Sequence, residues 1–199
     1  MEKYQGVKFK YRQTGESFHY DRRLTALNRW AYLFSQLGLT PVHADGAYGN
    51  QSYRTGSTSF LITRSGMTPT EQLIPENYSH VVRFDESENT FITEGKAVPS
   101  SESLLHSALY SALPNINAIL HGHSQLINTY AAALKIPVTR TFFAYGTPEL
   151  AESAVALMDG TFRFFILKDH GFVALGEDID SAGKLTLDYF AGLIRILRI

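Results

Sequence analysis

Leu24, Leu27, Ala31 and Phe34 recur at three- and four-residue steps, which predicts a helix from Asp21 to Leu37 with Gly38 as its left-handed stop. The Gly-rich run Asp45–Asn50 reads as turn chemistry. Short apolar runs predict strands at Gln51–Arg54, Ser59–Thr63, Ser79–Phe84 and Thr90–Thr93, with the polar Asp85–Asn89 as a hairpin turn. Pro99-Ser100-Ser101-Glu102 opens a helix that runs to about Ala112 and stops before Pro114. A strand over Asn117–His123 and a helix over Ser124–Leu134 follow. Thr147 caps the next helix, Pro148 takes its first turn, and Leu150, Ala154, Leu157 and Met158 form its buried stripe. Strands at Phe162–Leu167 and Phe172–Leu175 flank Asp169-His170-Gly171, and Ile179–Leu197 is a final helix. Helices alternate with strands, so the class is α/β, or α+β with helices on both sheet faces. Residues 1–20, polar and aromatic, read as an N-terminal arm that wraps a neighbour or frays, ahead of one domain over residues 21–199.

Composition narrows what that domain does. With 18 Lys+Arg against 19 Asp+Glu, the net charge of -1 gives no drive toward nucleic acid or an anionic membrane. No stretch approaches the ~20 apolar residues of a membrane span, and the N-terminus lacks the apolar core of a signal peptide. The expected address is the cytoplasm. The chain contains no cysteine, which excludes disulfides and thiolate metal sites. Any metal must be held by Asp, Glu or one of seven histidines.

His121-Gly122-His123 is the sharpest chemical feature. Residues two apart on a strand share a face, so the two imidazoles form a natural pair of metal ligands, and the glycine between them lets the backbone lie close to whatever they hold. The bland alternative is two hydrogen-bonding histidines at a strand end. A catalytic zinc needs a third ligand and an open position. His170 is a candidate at the end of an apolar strand, and His106, one turn beyond Glu102 on its helix, is the rival. His19, His43 and His80 read as structural or solvated. Glu102, after two serines at a helix N-terminus, is either a helix-cap acid or a general acid/base. No HExxH motif and no phosphate-binding GxxxxGK[ST] loop is present.

Together, Gly49-Asn50-Gln51-Ser52-Tyr53-Arg54, Phe60-Leu61-Ile62-Thr63-Arg64-Ser65-Gly66, Pro99-Ser100-Ser101-Glu102, His121-Gly122-His123-Ser124 and His170-Gly171 resemble the class II aldolase/adducin family, from about Asp21 to the C-terminus. Glu102 stands where the epimerase branch carries aspartate, so the resemblance is closest to the L-fuculose-phosphate aldolases. It implies a single-domain three-layer α/β/α sandwich with a central, largely antiparallel sheet flanked by helices, and a homo-oligomer, a tetramer above all. It implies a zinc ion, or Co2+ or Mn2+, on His121, His123 and His170, with Glu102 as acid/base. It implies that Gly49, Asn50, Ser65, Gly66, Ser100 and Ser101 cradle the phosphate of a small phosphorylated sugar cleaved through a zinc-stabilised enediolate. Two departures stand out. Ala47 replaces a threonine near the phosphate, and the segment that carries a catalytic tyrosine in the aldolases is short here, with Tyr145 its only tyrosine. The N-terminal arm and Tyr189 are possible substitutes. A decarboxylase or dehydratase of the same family, and a non-catalytic adducin-like scaffold, are the alternative readings.

Overall fold

A computed structural model describes residues 6–158 and 161–198. Its centre is an eight-stranded sheet in the order β1-β7-β6-β5-β4-β8-β10-β9. The strands are β1 (Lys10–Gly15), β4 (Gly49–Arg54), β5 (Phe60–Thr63), β6 (Tyr78–Asp85), β7 (Thr90–Glu94), β8 (Ala118–Gly122), β9 (Phe164–Ile166) and β10 (Phe172–Gly176). Only the β1–β7 pair is parallel; every other pair in this sheet is antiparallel. A two-residue ribbon, β2 (Val42–His43) with β3 (Gly46–Ala47), stands beside it.

Helices cover both faces, which explains why the central strands read as continuous apolar runs. Alternation sorts their side chains between two cores. Ala118 and Leu120 of β8, with Phe172 and Ala174 of β10, pack with α1 (Arg22–Gln36) and α5 (Ile179–Leu197). Ile119, Val173 and Leu175 pack on the opposite side with α2 (Ser103–Ala112) and α4 (Pro148–Leu157). Leu24, Leu27 and Phe34 of α1 are fully buried, each contributing about 1.5–3 kcal/mol by leaving water. This is the three-layer α/β/α sandwich that the resemblance implies.

The helix starts follow their capping chemistry. Asp21 accepts from the amide of Arg23 at 2.8 Å, Thr147 from Leu150 at 3.3 Å, and Asp178 with Ser181 forms a reciprocal capping box on α5.

Three segments differ from expectation. Within the N-terminal arm, Lys10–Gly15 forms the edge strand β1; its side chains are almost all exposed, so its pattern carries no hydrophobic alternation. Residues 1–5 of the arm lie outside the described residues. The helix after Ser124, α3, is regular only over Gln125–Thr129 and continues as turns to Lys135, whose φ of +55° ends it. The helix expected from Pro99 starts at Ser103, because Ser100–Glu102 form the turn that feeds it.

Candidate metal centre and its pocket

The site is assembled where β4, β8, α2 and the β9–β10 turn meet. Asn50 of β4 lies directly opposite His121 of β8. Both side chains point to the sheet face covered by α2, where Glu102 occupies the N-cap position. Leu167–Gly171 forms a tight turn, with Leu167 donating to the Gly171 carbonyl at 2.8 Å and His170 to the Leu167 carbonyl at 3.0 Å. Gly171 is required there. A Cβ would sit 2.4 Å from the Gly122 carbonyl and 2.9 Å from Cε1 of His121, so any side chain would push His170 away from the histidine pair.

Ligand atoms of Glu102, His121, His123 and His170 all lie within 4.8 Å of one another. His121 Nε2 is 3.0 Å from His123 Nε2 and 3.0 Å from Glu102 Oε2. His170 Nε2 is 2.8 Å from Glu102 Oε1. Tetrahedral zinc with bonds of ~2.0–2.1 Å would space its ligand atoms about 3.3 Å apart. The structure therefore brings His170 to the histidine pair and leaves His106 outside, engaged with Asn50 and Ser52.

The donor set fits a cation. His121 Nδ1 lies 2.7 Å from the carbonyl of Phe172 and donates to it, so Nε2 is the atom turned to the site. That nitrogen faces the Glu102 carboxylate, and both side chains are buried. Three imidazoles and one carboxylate that converge in this way are a set of donors suited to a divalent ion. Burial alone would push the Glu102 carboxyl up, but the imidazoles of His121 and His170 hold it well below the usual carboxylate range. Burial, with His121 and His170 nearby, pushes His123 well down, toward the neutral form that ligates metals.

The structure bears on the helix-cap reading of Glu102 and removes it. Although it is the N-cap residue of α2, its side chain makes no capping hydrogen bond. The carboxylate turns instead to His121, His170 and the side-chain amide of Asn50, the last at 2.8 Å.

A pocket of about 80 Å³ opens from this cluster. Gly49, Asn50, Ser65, Gly66, Ser100 and Ser101, all expected from the sequence, line it together with Glu102, His123 and His170. The pairing of Ser65 N–H with the Val98 carbonyl at 2.9 Å, beside the Arg64–Pro99 bridge, brings the two serine loops together. Asn50 departs from the others: both ends of its side chain are spent, on Glu102 and His106. Gly122 also acts differently from expectation. Its missing Cβ faces the Leu39 carbonyl and the Phe172 ring, each 2.5 Å from where a Cβ would lie, so it serves packing on the face opposite the histidines.

Further residues that line the pocket were given no place in the site by the sequence, or only a doubtful one. His43, read as structural or solvated, stacks on Tyr48 at 4.0 Å, and Tyr48 stacks on His123 at 5.5 Å. The β2–β3 ribbon that presents them gives no sequence signal beyond its glycines. Arg64 is the only Lys or Arg among the described lining residues. Asn77 and the Ser65 carbonyl hold its Nε and Nη1 at 3.0 and 3.3 Å. Tyr145 lines the pocket with its hydroxyl on the Gly6 carbonyl at 3.1 Å. Tyr189 stacks on Phe164 at 4.2 Å, in the core on the α5 side of the sheet.

With this geometry in hand, similarity to known proteins is informative. A family model described as Class II Aldolase and Adducin N-terminal domain matches residues 28–189. The chain belongs to the class II aldolase and adducin family. A 5-methylthioribulose-1-phosphate/5-deoxyribulose-1-phosphate aldolase of Rhodospirillum rubrum is 29% identical over 72% of this chain and 67% of its own length. An L-fuculose phosphate aldolase of Escherichia coli is 31% identical over 74% of this chain and 70% of its own. Among solved structures, L-fuculose-1-phosphate aldolase from Thermus thermophilus superimposes with a TM-score of 0.70 at 23% identity, covering 89% of this chain and 94% of that one, which shows the shared fold. The family's named relatives are lyases of class II aldolase type. No helix among the described residues is long and apolar enough to cross a membrane.

Proposed function

We propose that this protein is a metal-dependent aldolase that makes and breaks a carbon–carbon bond in a small phosphorylated sugar. The observation that carries the reading is the uncapped carboxylate of Glu102 among His121, His123 and His170, at one end of a pocket whose other wall is built from Ser65, Gly66, Ser100 and Ser101. The aldolases that it resembles are named for sugar phosphates.

His121, His123 and His170 would hold the ion, zinc by the match of three imidazoles and an open position, with cobalt or manganese also compatible. Bound there, the ion supplies Lewis-acid stabilisation for the enediolate charge left when the bond breaks. Glu102 returns a proton to the carbon that the departing aldehyde leaves, and takes it away in the condensation direction. The backbone amides and hydroxyls of Gly49, Asn50, Ser65, Gly66, Ser100 and Ser101 hold the phosphate, which orients the reacting carbons and lowers the entropic barrier. The guanidinium of Arg64 adds a fixed cation to that cradle.

The expected assembly is a homo-oligomer, a tetramer above all, in which a second chain adds to the wall of this open pocket. The expected setting is cytoplasmic carbohydrate metabolism.

The test is to incubate zinc-loaded protein with dihydroxyacetone phosphate and a panel of short aldehydes. Aldol adducts are expected. Absence of any adduct, with turnover of another enolisable acid, would transfer the site to a decarboxylase or dehydratase. Equal and negligible metal in the wild-type chain and in His123→Ala would support the scaffold reading instead.

A further inference from the structure

One face of α2 carries Glu102, His106 and Tyr110 at four-residue steps. One face of β4 carries Asn50 and Ser52 at a two-residue step. The two periodicities mesh, so that helix and strand side chains interdigitate in a buried polar chain. Tyr110 Oη lies 2.7 Å from Ser52 Oγ, Ser52 Oγ 2.6 Å from His106 Nδ1, His106 Nε2 2.6 Å from Asn50 Oδ1, and Asn50 Nδ2 2.8 Å from Glu102 Oε2.

We propose that His106 is a positioning residue for Glu102, acting through Asn50. The inference rests on the reading of Glu102 as the acid/base of a metal site.

Every proton in the chain follows from one end. The Glu102 carboxylate only accepts, so Asn50 presents its NH2 group there. The Asn50 carbonyl oxygen then faces His106, which must donate from Nε2. A neutral imidazole that donates at Nε2 accepts at Nδ1, so Ser52 donates to it and in turn accepts from Tyr110. No member can reverse without leaving a buried group unpaired, which is costly. Burial favours the neutral ring, holding the His106 pKa down at about 3. The Phe60 ring stacked at 6.5 Å adds a wall to its slot.

The consequence lies at the carboxylate. Glu102 Oε1 and Oε2 are within reach of His170 and His121, on the side where the metal ligands converge. The Asn50 amide is the opposing tether on Oε2. Without it the carboxylate turns freely toward the cation, where its proton-transfer role is lost. His106 prevents the amide of Asn50 from rotating.

Two substitutions separate the ends of the imidazole. His106→Gln places an amide donor near the Nε2 position and keeps the bond to Asn50. His106→Asn places its amide near Nδ1, keeps Ser52 and drops Asn50. Each is loaded with cobalt, and both the visible absorption of the ion and the steady-state kinetics of aldol cleavage are recorded. We expect His106→Gln to keep the wild-type spectrum. We expect His106→Asn to shift the spectrum and to lower kcat about 10–100-fold, the usual range for outer partners of a metal site, with KM within ~3-fold. A purely structural role would leave the two variants equal. Equal spectra and equal rates, or a His106→Gln chain that is folded yet shifted in spectrum, would overturn the proposal. If His106→Asn fails to fold, Asn50→Ser, which removes the tether on Glu102 itself, takes its place: the same shift in spectrum is expected, and an unshifted spectrum overturns the proposal. If no sugar phosphate is cleaved by the wild type, the activity reading fails while the cobalt spectra still decide the positioning role. A wild-type chain that binds no cobalt overturns both.

Discussion

His170 Nε2 meets Glu102 Oε1 at 2.8 Å, across 68 positions of chain. The contact joins the β9–β10 turn to the start of α2, and the ring of His170 lies parallel to that of His121 with centroids 5.2 Å apart. His170→Ala should leave two imidazoles, too few for a tight structural hold. Bound metal measured by elemental analysis after dialysis should fall from about one ion per chain to a small fraction of that. Retention of a full complement would remove His170 from the ligand set.

Glu102→Gln preserves shape and hydrogen-bonding size but cannot exchange a proton. Metal content should persist, held by three imidazoles, while aldol turnover drops about 10²–10⁴-fold, the usual contribution of a general acid/base. Because the side chain does not cap α2, loss of a cap cannot explain the change. Turnover within a few-fold of wild type would exclude Glu102 as the proton carrier.

Arg64→Gln removes the only guanidinium among the described residues that line the pocket. Charge-assisted hydrogen bonds contribute about 1.5–3 kcal/mol, so KM for a phosphorylated substrate should rise roughly 10–100-fold, with kcat much less affected. The bonds from Arg64 to Asn77 and to the Ser65 carbonyl are also lost, so Asn77→Ala is the control for loop disruption. If Asn77→Ala raises KM as much as Arg64→Gln does, the guanidinium acts on the loop and not on the substrate.

Burial holds His106 at about 3, against ~6.5 in an unfolded chain. Between these values the unfolded chain binds the extra proton. Folding stability of the metal-free protein should therefore fall as pH drops below ~6.5, by at most about 1.4 kcal/mol per unit from this group. Glu102, also held low, adds to the loss at more acidic pH. Urea unfolding across this range should show a shallower slope for His106→Gln. Identical slopes would mean that other groups govern the acid limb.

Much of this is legible in the sequence. The α1 stripe and its Gly38 stop, the Thr147 cap of α4, and the central strands are local signals, strong because propensity, capping and burial agree. Five short motifs brought nine of the ten expected site residues to the rim of one pocket, with His121 buried beneath them. What stayed hidden depends on non-local contacts. β1 is recognisable only by its pairing with β7, since its exposed side chains show no alternation. His43 and Tyr48 reach His123 only after the β2–β3 ribbon folds over. The choice between His170 and His106 required register: both spacings suit a ligand, but β4 places Asn50 and Ser52 against His106 and so occupies both of its nitrogens.

The uncapped start of α2 sets a conflict between robustness and chemistry. A serine, aspartate or asparagine at an N-cap is typically worth about 1 kcal/mol over a residue that does not cap. At position 102 the chain forgoes that gain, because its carboxylate faces the histidines instead. A selection for thermal tolerance alone, blind to turnover, would therefore be drawn to this position early, and each clone it favoured there would be sturdier and inert.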